Sequence, residues 1–304
     1  MRVVTPLFLF LAALPGEETI ERLIDLGRVA EARTRLRSLP GEPDRALVLE
    51  AMILYREGRP AESLRLLQPL TAKPTAPSDA HKLAALSLVA LGRQAEAGSY
   101  IVEAVRLAPN DFMARYYLGL HQLDKRQPEQ AAITFAAAVP LNPDYPDVYT
   151  MLGLAQEQSG RDTEALASYR KGVELTERLR IKKDSAYVYA GRYLNSRNEN
   201  DEAIRYLEAA VNVSPRSPEA WLLLGKTRSA LGRNGGALQA LHRAAELAPR
   251  DKRVRFQLMQ TYQRMGRMDE ARREREMYES MSGAELGRWE EKVIGNRSGK
   301  ESKE

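Results

Sequence analysis

The residue types that most often carry chemistry are scarce in this chain and far apart. It has no cysteine, which excludes disulfides, thiolate metal sites and cysteine nucleophiles. The three histidines, His81, His121 and His242, lie in separate parts of the chain. None belongs to a spacing such as His-Glu-x-x-His, which would hold zinc. The sequence thus predicts no catalytic site, metal or cofactor, and we expect that the protein is not an enzyme.

A glycine-rich run at 232–236 (GRNGG) does not have the spacing of a phosphate-binding loop. Dinucleotide-binding and serine-hydrolase motifs are also missing from the sequence. The elements that organise the chain therefore carry more information about its function than any single reactive side chain.

The composition indicates a folded protein with a mixed surface. Hydrophobic residues make up 43% of the 304 residues, enough for a substantial core, and charged residues make up 29%. The net charge of +5 is small beside the one-sided excess that is typical of proteins that bind nucleic acids or membrane surfaces. We therefore expect no nucleic-acid partner.

The first sixteen residues differ from the rest of the chain. A basic start at Arg2 precedes an apolar run at 7–14 (LFLFLAAL) and a small residue at Gly16, the pattern of a secretory signal peptide. This predicts that residues 1–16 direct export from a bacterium, to the periplasm or outside. The alternative is a first apolar helix that docks on the end of this chain's own fold, in a protein that stays in the cytoplasm. The run is too short to span a bilayer, and we expect no integral membrane span.

Beyond this segment the sequence repeats with a period of 34 residues. Five copies have a Gly-Arg pair followed by a small residue four or five positions later. In two weaker copies Arg126 and Asn198 stand where the others have glycine. A fixed period of this size is typical of a solenoid, in which each unit buries its apolar face against its neighbours. The Gly-Arg pairs begin at Gly58, Gly92, Gly160, Gly232 and Gly266.

The copy at 218–251 resembles the consensus of the tetratricopeptide repeat (TPR). Its matching residues are Trp221, Leu224, Gly225, Ala237, Leu241, Ala244 and Pro249. The resemblance implies an all-α, helix-turn-helix TPR solenoid, a right-handed superhelix of about eight repeats over 17–285. The repeats are expected at 13–43, 44–77, 78–111, 112–145, 146–179, 184–217, 218–251 and 252–285.

The spacing within one repeat predicts an antiparallel helix pair. Positions are counted from the first residue of each repeat, so that Pro218 is position 1 of the repeat at 218–251. Positions 4, 7, 8 and 11 lie on one face of a first helix, and positions 20, 24 and 27 lie on one face of a second. Small residues at 8, 20 and 27 let the two backbones approach closely. Glycine at position 15 predicts a left-handed turn that ends the first helix. Proline at position 32 predicts the end of the second.

Two segments depart from the repeat. Four extra residues around 178–183 (RLRIKK) predict a second helix longer by one turn, or a longer loop, with solvated charge. The alternative is a basic contact site for an acidic partner. Residues 286–294, with Trp289, are expected to form a C-terminal capping helix. Residues 295–304 are expected to be a disordered tail.

The resemblance also implies a concave groove lined by positions 2, 5, 9 and 12 of the first helices. These positions change from apolar to polar and cationic along the chain, so we expect a protein or peptide partner with apolar anchors and an acidic end. In the alternative, Leu86, Leu120 and Leu154 fill the superhelix or a homo-oligomer contact. Lys82 lacks the asparagine four positions later that the family's dicarboxylate clamp needs. The candidate groove residues are Met52, Tyr55, Lys82, Leu86, Tyr116, Leu120, Leu154, Arg192, Asn195, Lys226 and Arg253.

The sequence thus predicts a non-catalytic protein-protein interaction scaffold that binds a partner segment in a preformed groove. The alternative is a regulatory or substrate-recruiting subunit of an envelope-biogenesis or glycosyl-transfer enzyme on a separate chain. Self-assembly through the solenoid ends is a third hypothesis, and the capping segment would oppose it. The partner, the pathway and the oligomeric state are not predicted.

Overall fold

A computed structural model describes residues 19–38 and 43–281. These residues form helices joined by short turns, and no strand occurs among them. The described residues up to Pro143 belong to one compact unit and those from Asp144 onward to a second. The predicted signal peptide, the capping helix and the tail lie outside the described residues.

The first unit contains eight α-helices within its described residues. The chain then makes a short 3-10 turn at Val139–Leu141 before the unit ends. The helices are α1 (Ile20–Asp25), α2 (Val29–Arg37), α3 (Pro43–Arg56), α4 (Pro60–Thr71), α5 (Ser78–Ala90), α6 (Gln94–Leu107), α7 (Phe112–Asp124) and α8 (Pro128–Ala138).

The second unit continues the alternation of first and second helices, and its last described segment, 268–281, is also helical. Across the described parts of both units this gives eight helix pairs, which confirms the all-α helix-turn-helix fold. The helices are α9 (Pro146–Gln158), α10 (Asp162–Arg178), α11 (Ser185–Ser196), α12 (Asn200–Val213), α13 (Pro218–Ala230), α14 (Asn234–Leu247) and α15 (Lys252–Arg264).

The turn inside each pair has the left-handed backbone that glycine at position 15 predicts. Gly58, for example, has a φ of 77°, and the glycines of the other Gly-Arg pairs have similar values. Arg126 and Asn198 take the same conformation, with φ of 56° and 62°. An L-residue with a side chain is strained there, asparagine less than arginine. The geometry of the turn therefore persists where the glycine is lost.

Glycine at position 8 has a different role, which is to admit a large side chain from the second helix. A Cβ atom at Gly119 would lie 2.6 Å from the ring of Phe135, and one at Gly153 would lie 2.8 Å from the ring of Tyr169. Both rings are fully buried. Side chains at position 24 thus occupy the space that a larger residue at position 8 would need.

Proline ends the second helices as predicted. Helices α6, α12 and α14 stop two residues before Pro109, Pro215 and Pro249, and the residue in front of each proline is non-helical. That residue cannot remain in the helical region because it would clash with the proline ring.

The four-residue insertion lengthens α10 to 17 residues, against 14 in α12 and α14. The helix ends at a turn in which Arg180 has a φ of 52°. Arg178 and Lys183 then pair with Asp144 and Asp147, which lie on either side of the first residue of α9. Part of the basic run is therefore engaged within the chain.

Candidate partner-binding faces

The three histidines lie on three different helices, and two of them, His81 and His121, contact residues of α6. His81 is buried beside Tyr100, with ring centroids 6.0 Å apart, and His242 shares a 2.9 Å hydrogen bond with the hydroxyl of Tyr262. The ring of His121 lies over Gly98, where a Cβ atom would be 2.4 Å from its Nε2 atom. Burial lowers the pKa of both His81 and His121. In the described part of the chain no group of acidic and histidine side chains could hold a metal ion.

In the first unit most of the predicted groove residues belong to the packing of the helices. Met52, Leu86 and Tyr116 are buried, and the ring of Tyr116 lies 5.8 Å from that of Phe135. Tyr55 and Leu120 are half-buried. For Leu86 the structure therefore favours the interior packing that the sequence left as an alternative.

Lys82, also a predicted groove residue, is a buried cation held between two carboxylates. Its side chain is 5% exposed, lies 2.6 Å from Asp79 and also pairs with Asp111, the last residue of the same repeat and the N-cap of the first helix of the next. Asp111 has a second role, because it caps α7 by accepting a 2.9 Å hydrogen bond from the amide of Ala114. Burial lowers the pKa of Lys82, but the two carboxylates outweigh it and the pKa is raised. Lys82 thus joins two repeats.

A cavity of about 450 Å³, here called the α3 cavity, lies at the start of the first unit. Its floor is the apolar side of α3, made by Val48, Leu49 and Met52. Four charged side chains and the neighbouring loop residues form its wall. The wall residues are Glu21, Pro43, Asp44, Arg45, Thr75, Pro77 and Asp79.

In the second unit Arg192 and Asn195 are also engaged with other side chains. Arg192 lies 2.8 Å from Glu157, which accepts a 2.6 Å hydrogen bond from the hydroxyl of Tyr169. Burial, together with this hydrogen bond, raises the pKa of Tyr169. Asn195 is buried and donates to Asn200 and Thr227 at 3.1 and 3.0 Å. Asn195 is thus occupied within the chain, whereas Arg192 pairs with one carboxylate and keeps 38% of its side chain exposed.

The inner positions of the last two described repeats are more open. Lys226 at position 9 is exposed, and no ion pair involves it within the described residues. Arg253 at position 2 is 62% exposed but pairs with Glu219 and Asp251, both at 2.7 Å. Phe256 at position 5 is 39% exposed, and Gln263 at position 12 is exposed. Leu154, in the first repeat of this unit, is half-buried.

Sequence reasoning missed the charged wall of the α3 cavity and the exposed ring of Phe256. A signal was present for some of them, because Arg45, Asp79 and Phe256 occupy positions 2 and 5, which belong to the expected ligand-facing set. Glu21 gave no such signal, because the first repeat, at 13–43, matches the repeat pattern poorly. The described helices include none that is long and apolar enough to cross a bilayer.

Two solved structures with similar folds illustrate the architecture. A chain of the APC/C hetero-tetramer Cut9-Hcn1 aligns with a TM-score of 0.68 and 14% identity, over 80% of this chain and 48% of that one. PilW, a type IV pilus biogenesis factor, aligns with a TM-score of 0.60 and 17% identity, over 69% of this chain and 94% of its own. The present chain thus spans about half the length of the first relative. At these identities the similarity concerns the fold.

A search among curated proteins found no match. Family models describing the tetratricopeptide repeat match residues 48–112, 83–146, 118–178, 184–227 and 229–276. Together these matches cover well over half of the chain, and they follow the same helix pairs that the structure shows. The chain belongs to the tetratricopeptide repeat family.

Proposed function

We propose that this protein is a non-catalytic interaction scaffold that binds an extended or helical segment of a partner protein on the inner positions of its first helices. The observation that carries the proposal is a group of four exposed side chains at those positions in the second unit, here called the exposed set. They are Lys226, Arg253, Phe256 and Gln263. Phe256 is 39% exposed on a helix that buries Val254 and Leu258, and its ring lies 6.2 Å from that of Tyr278. Exposed rings with a polar surround are typical of protein-binding surfaces.

The charge of this set indicates an acidic partner segment with an apolar anchor. Lys226 and Arg253 supply two exposed cations on the same set of positions as Phe256. Arg253 already has two carboxylate partners, so Lys226 is the stronger candidate for a new ion pair. In such an interface the ring supplies most of the affinity, and the cations favour the correct orientation and raise the association rate.

Charge reversal at the two cations tests this proposal against a matched control. We expect Lys226→Glu/Arg253→Glu to abolish binding to acidic, apolar-anchored peptides on a synthetic array. Arg243→Glu changes an exposed arginine on a second helix, α14, that is already paired with Glu246, and should leave binding intact. Equal binding by the double variant and the control would place the partner elsewhere.

The alternative role, a regulatory or substrate-recruiting subunit of an envelope-biogenesis or glycosyl-transfer enzyme on a separate chain, has two supporting observations. PilW, whose fold is similar over nearly its whole length, is described as a type IV pilus biogenesis factor. The apolar run at 7–14 is consistent with export. Intact-mass measurement of the protein from fractionated source cells tests this role. A chain that begins near Glu17 in the envelope fraction supports it, and a full-length chain confined to the cytoplasm contradicts it.

A further inference from the structure

The glycine-rich run at 232–236, which lacks the spacing of a phosphate-binding loop, contains the one Asn-Gly pair of the sequence, Asn234 and Gly235. The pair lies in the first turn of α14. We propose that Asn234 is a site of spontaneous deamidation, in which the backbone nitrogen of Gly235 displaces the side-chain nitrogen of Asn234 as ammonia. The modification does not depend on the proposed function.

The reaction needs only the chain itself and water. The backbone nitrogen of Gly235 bonds to the Cγ atom of Asn234, and the bond from Cγ to the side-chain nitrogen breaks. That nitrogen leaves as ammonia with the proton of the Gly235 amide, and a cyclic succinimide remains. Water then adds to one of the two ring carbonyls and the adjacent ring C–N bond breaks, which yields aspartate or isoaspartate. An amide becomes a carboxylate, so the turn gains one negative charge.

Gly235 provides an accessible nucleophile. It is exposed, and a Cβ atom added to it would have no neighbour within 4 Å. A side chain would crowd the attack of the backbone nitrogen, and glycine has none. The first backbone hydrogen bond of α14 is donated by Ala237 to the carbonyl of Arg233, at 2.9 Å. The N–H of Gly235 precedes that bond, so the helix supplies no acceptor for it.

Attack requires the first turn to leave its helical conformation, and the first turn of α14 is weakly held. Glycine is a poor helix former, and two glycines follow Asn234 directly. The second helices from α2 to α12 each have an acidic residue in the first turn, which the helix dipole favours, and α14 has none. The Oδ1 atom of Asn234 is also buried and accepts no hydrogen bond from the described residues, a cost that opening removes.

The two products act differently on this turn. Aspartate matches Asp162, the first residue of α10 at the same position of its repeat, and it stabilises the start of the helix. Isoaspartate carries the main chain through its former side chain, which lengthens the backbone by one carbon atom and displaces Gly236. The carbonyl of Gly236 accepts a 3.3 Å hydrogen bond from Arg228, which also pairs with Glu208. This product therefore loosens the contact between α13 and the start of α14.

The test incubates the full, folded chain in mildly alkaline buffer prepared with heavy-oxygen water, and peptide mass spectrometry follows the label in each asparagine. Only deamidation during the incubation puts heavy oxygen into the new carboxylate. Asn200 is the matched control, because it is the first residue of α12, precedes Asp201 and accepts a 3.1 Å hydrogen bond from Asn195. We expect Asn234 to take up label about tenfold faster than Asn200 or more, since only Asn234 precedes glycine.

A variant of the nucleophile completes the test. Gly235→Ala adds a methyl group in open space, so the fold is retained, and it should slow labelling of Asn234 about tenfold. Labelling of Asn234 no faster than that of Asn200, or unchanged in Gly235→Ala, overturns the inference. Label that appears only after the chain is unfolded in urea also overturns it, because the folded turn then protects Asn234. None of these outcomes depends on peptide binding, so they leave the proposed function untouched.

Discussion

The buried ion pair between Lys82 and Asp111 offers the sharpest test of how neighbouring repeats are held together in the first unit. The ammonium of Lys82 is 5% exposed, while the side chains of Asp79 and Asp111 are 42% and 22% exposed. The cation is therefore the group that depends on its partners, because water still reaches both carboxylates. Removal of a carboxylate should cost more than removal of the cation.

The expected magnitudes follow from this asymmetry. Asp111→Asn keeps a side chain that caps α7 equally well, so its cost is the lost charged hydrogen bond to a buried ammonium, about 2–3 kcal/mol. Lys82→Met replaces the cation with an apolar chain of similar length and should cost about 0–1 kcal/mol. In the double variant Asp111→Asn should add almost nothing, which gives a coupling energy of about 2 kcal/mol.

Urea unfolding at pH 7, followed by circular dichroism, measures each free energy from the midpoint and slope. Asp124→Asn, at the exposed far end of α7, is the control and should change stability by less than about 0.5 kcal/mol. Because the pKa of Lys82 is raised in the folded protein, the pair stabilises below the usual lysine pKa and is lost as the pH rises through the folded value. Additive effects of the two substitutions, within about 0.5 kcal/mol, would refute the reasoning.

Four further substitutions test the packing, the turns and a buried histidine. Gly119→Ala places a Cβ atom 2.6 Å from a buried ring and should destabilise the protein by about 1–3 kcal/mol. Gly235→Ala places its methyl group in open space on a helix and should stabilise the protein by up to about 1 kcal/mol. Thermal melts of the two variants test both expectations. Arg126→Gly relieves a φ of 56° and should raise the free energy of unfolding by about 0.5 kcal/mol; a lower urea midpoint would contradict this. His81 is buried, and within the described residues its Nδ1 atom has no hydrogen-bond partner, so His81→Phe should be neutral or stabilise by about 1 kcal/mol at pH 7. Burial lowers the pKa of His81, so the wild type should lose stability relative to this variant below about pH 6.5, a trend that melts across pH 5–8 would show or disprove.

The fold could be predicted from the sequence because its determinants are local and repeated. Gly58 and its equivalents fix a left-handed turn, and Pro109 and its equivalents stop a helix, whatever surrounds them. Arg126 adopts the same turn without a glycine, which shows that the packing of the two helices also imposes it. A repeat that lacks one consensus residue, such as the turn glycine, can therefore still be predicted when the 34-residue period is intact.

The candidate site could be predicted less well because exposure depends on neighbours in space. Position 9 carries buried Met52 and Leu86 in the first unit and exposed Lys226 in the second, although the helix geometry is the same. Whether such a side chain faces open space depends on the bulk of the residues on the next helix, and the period does not encode that bulk. The α3 cavity is a gap of this kind, and its charged wall combines residues from three helix pairs.

Residues one 34-residue period away help to identify charged side chains that have no ion-pair partner on the neighbouring repeat. In a repeat array the groups nearest to residue i on the adjacent helix pair include those near i − 34 and i + 34. In the second unit Arg192 pairs with Glu157, 35 residues earlier, and Arg253 pairs with Glu219, 34 residues earlier. Lys226 has Arg192 at one period before and Gln260 at one period after, so neither repeat offers it a carboxylate at that spacing. Arg192 and Arg253 each have a carboxylate at this spacing and Lys226 has none, so an acidic segment of a bound protein gains most by pairing with Lys226. Lys226→Glu alone should therefore weaken binding more than Arg253→Glu alone.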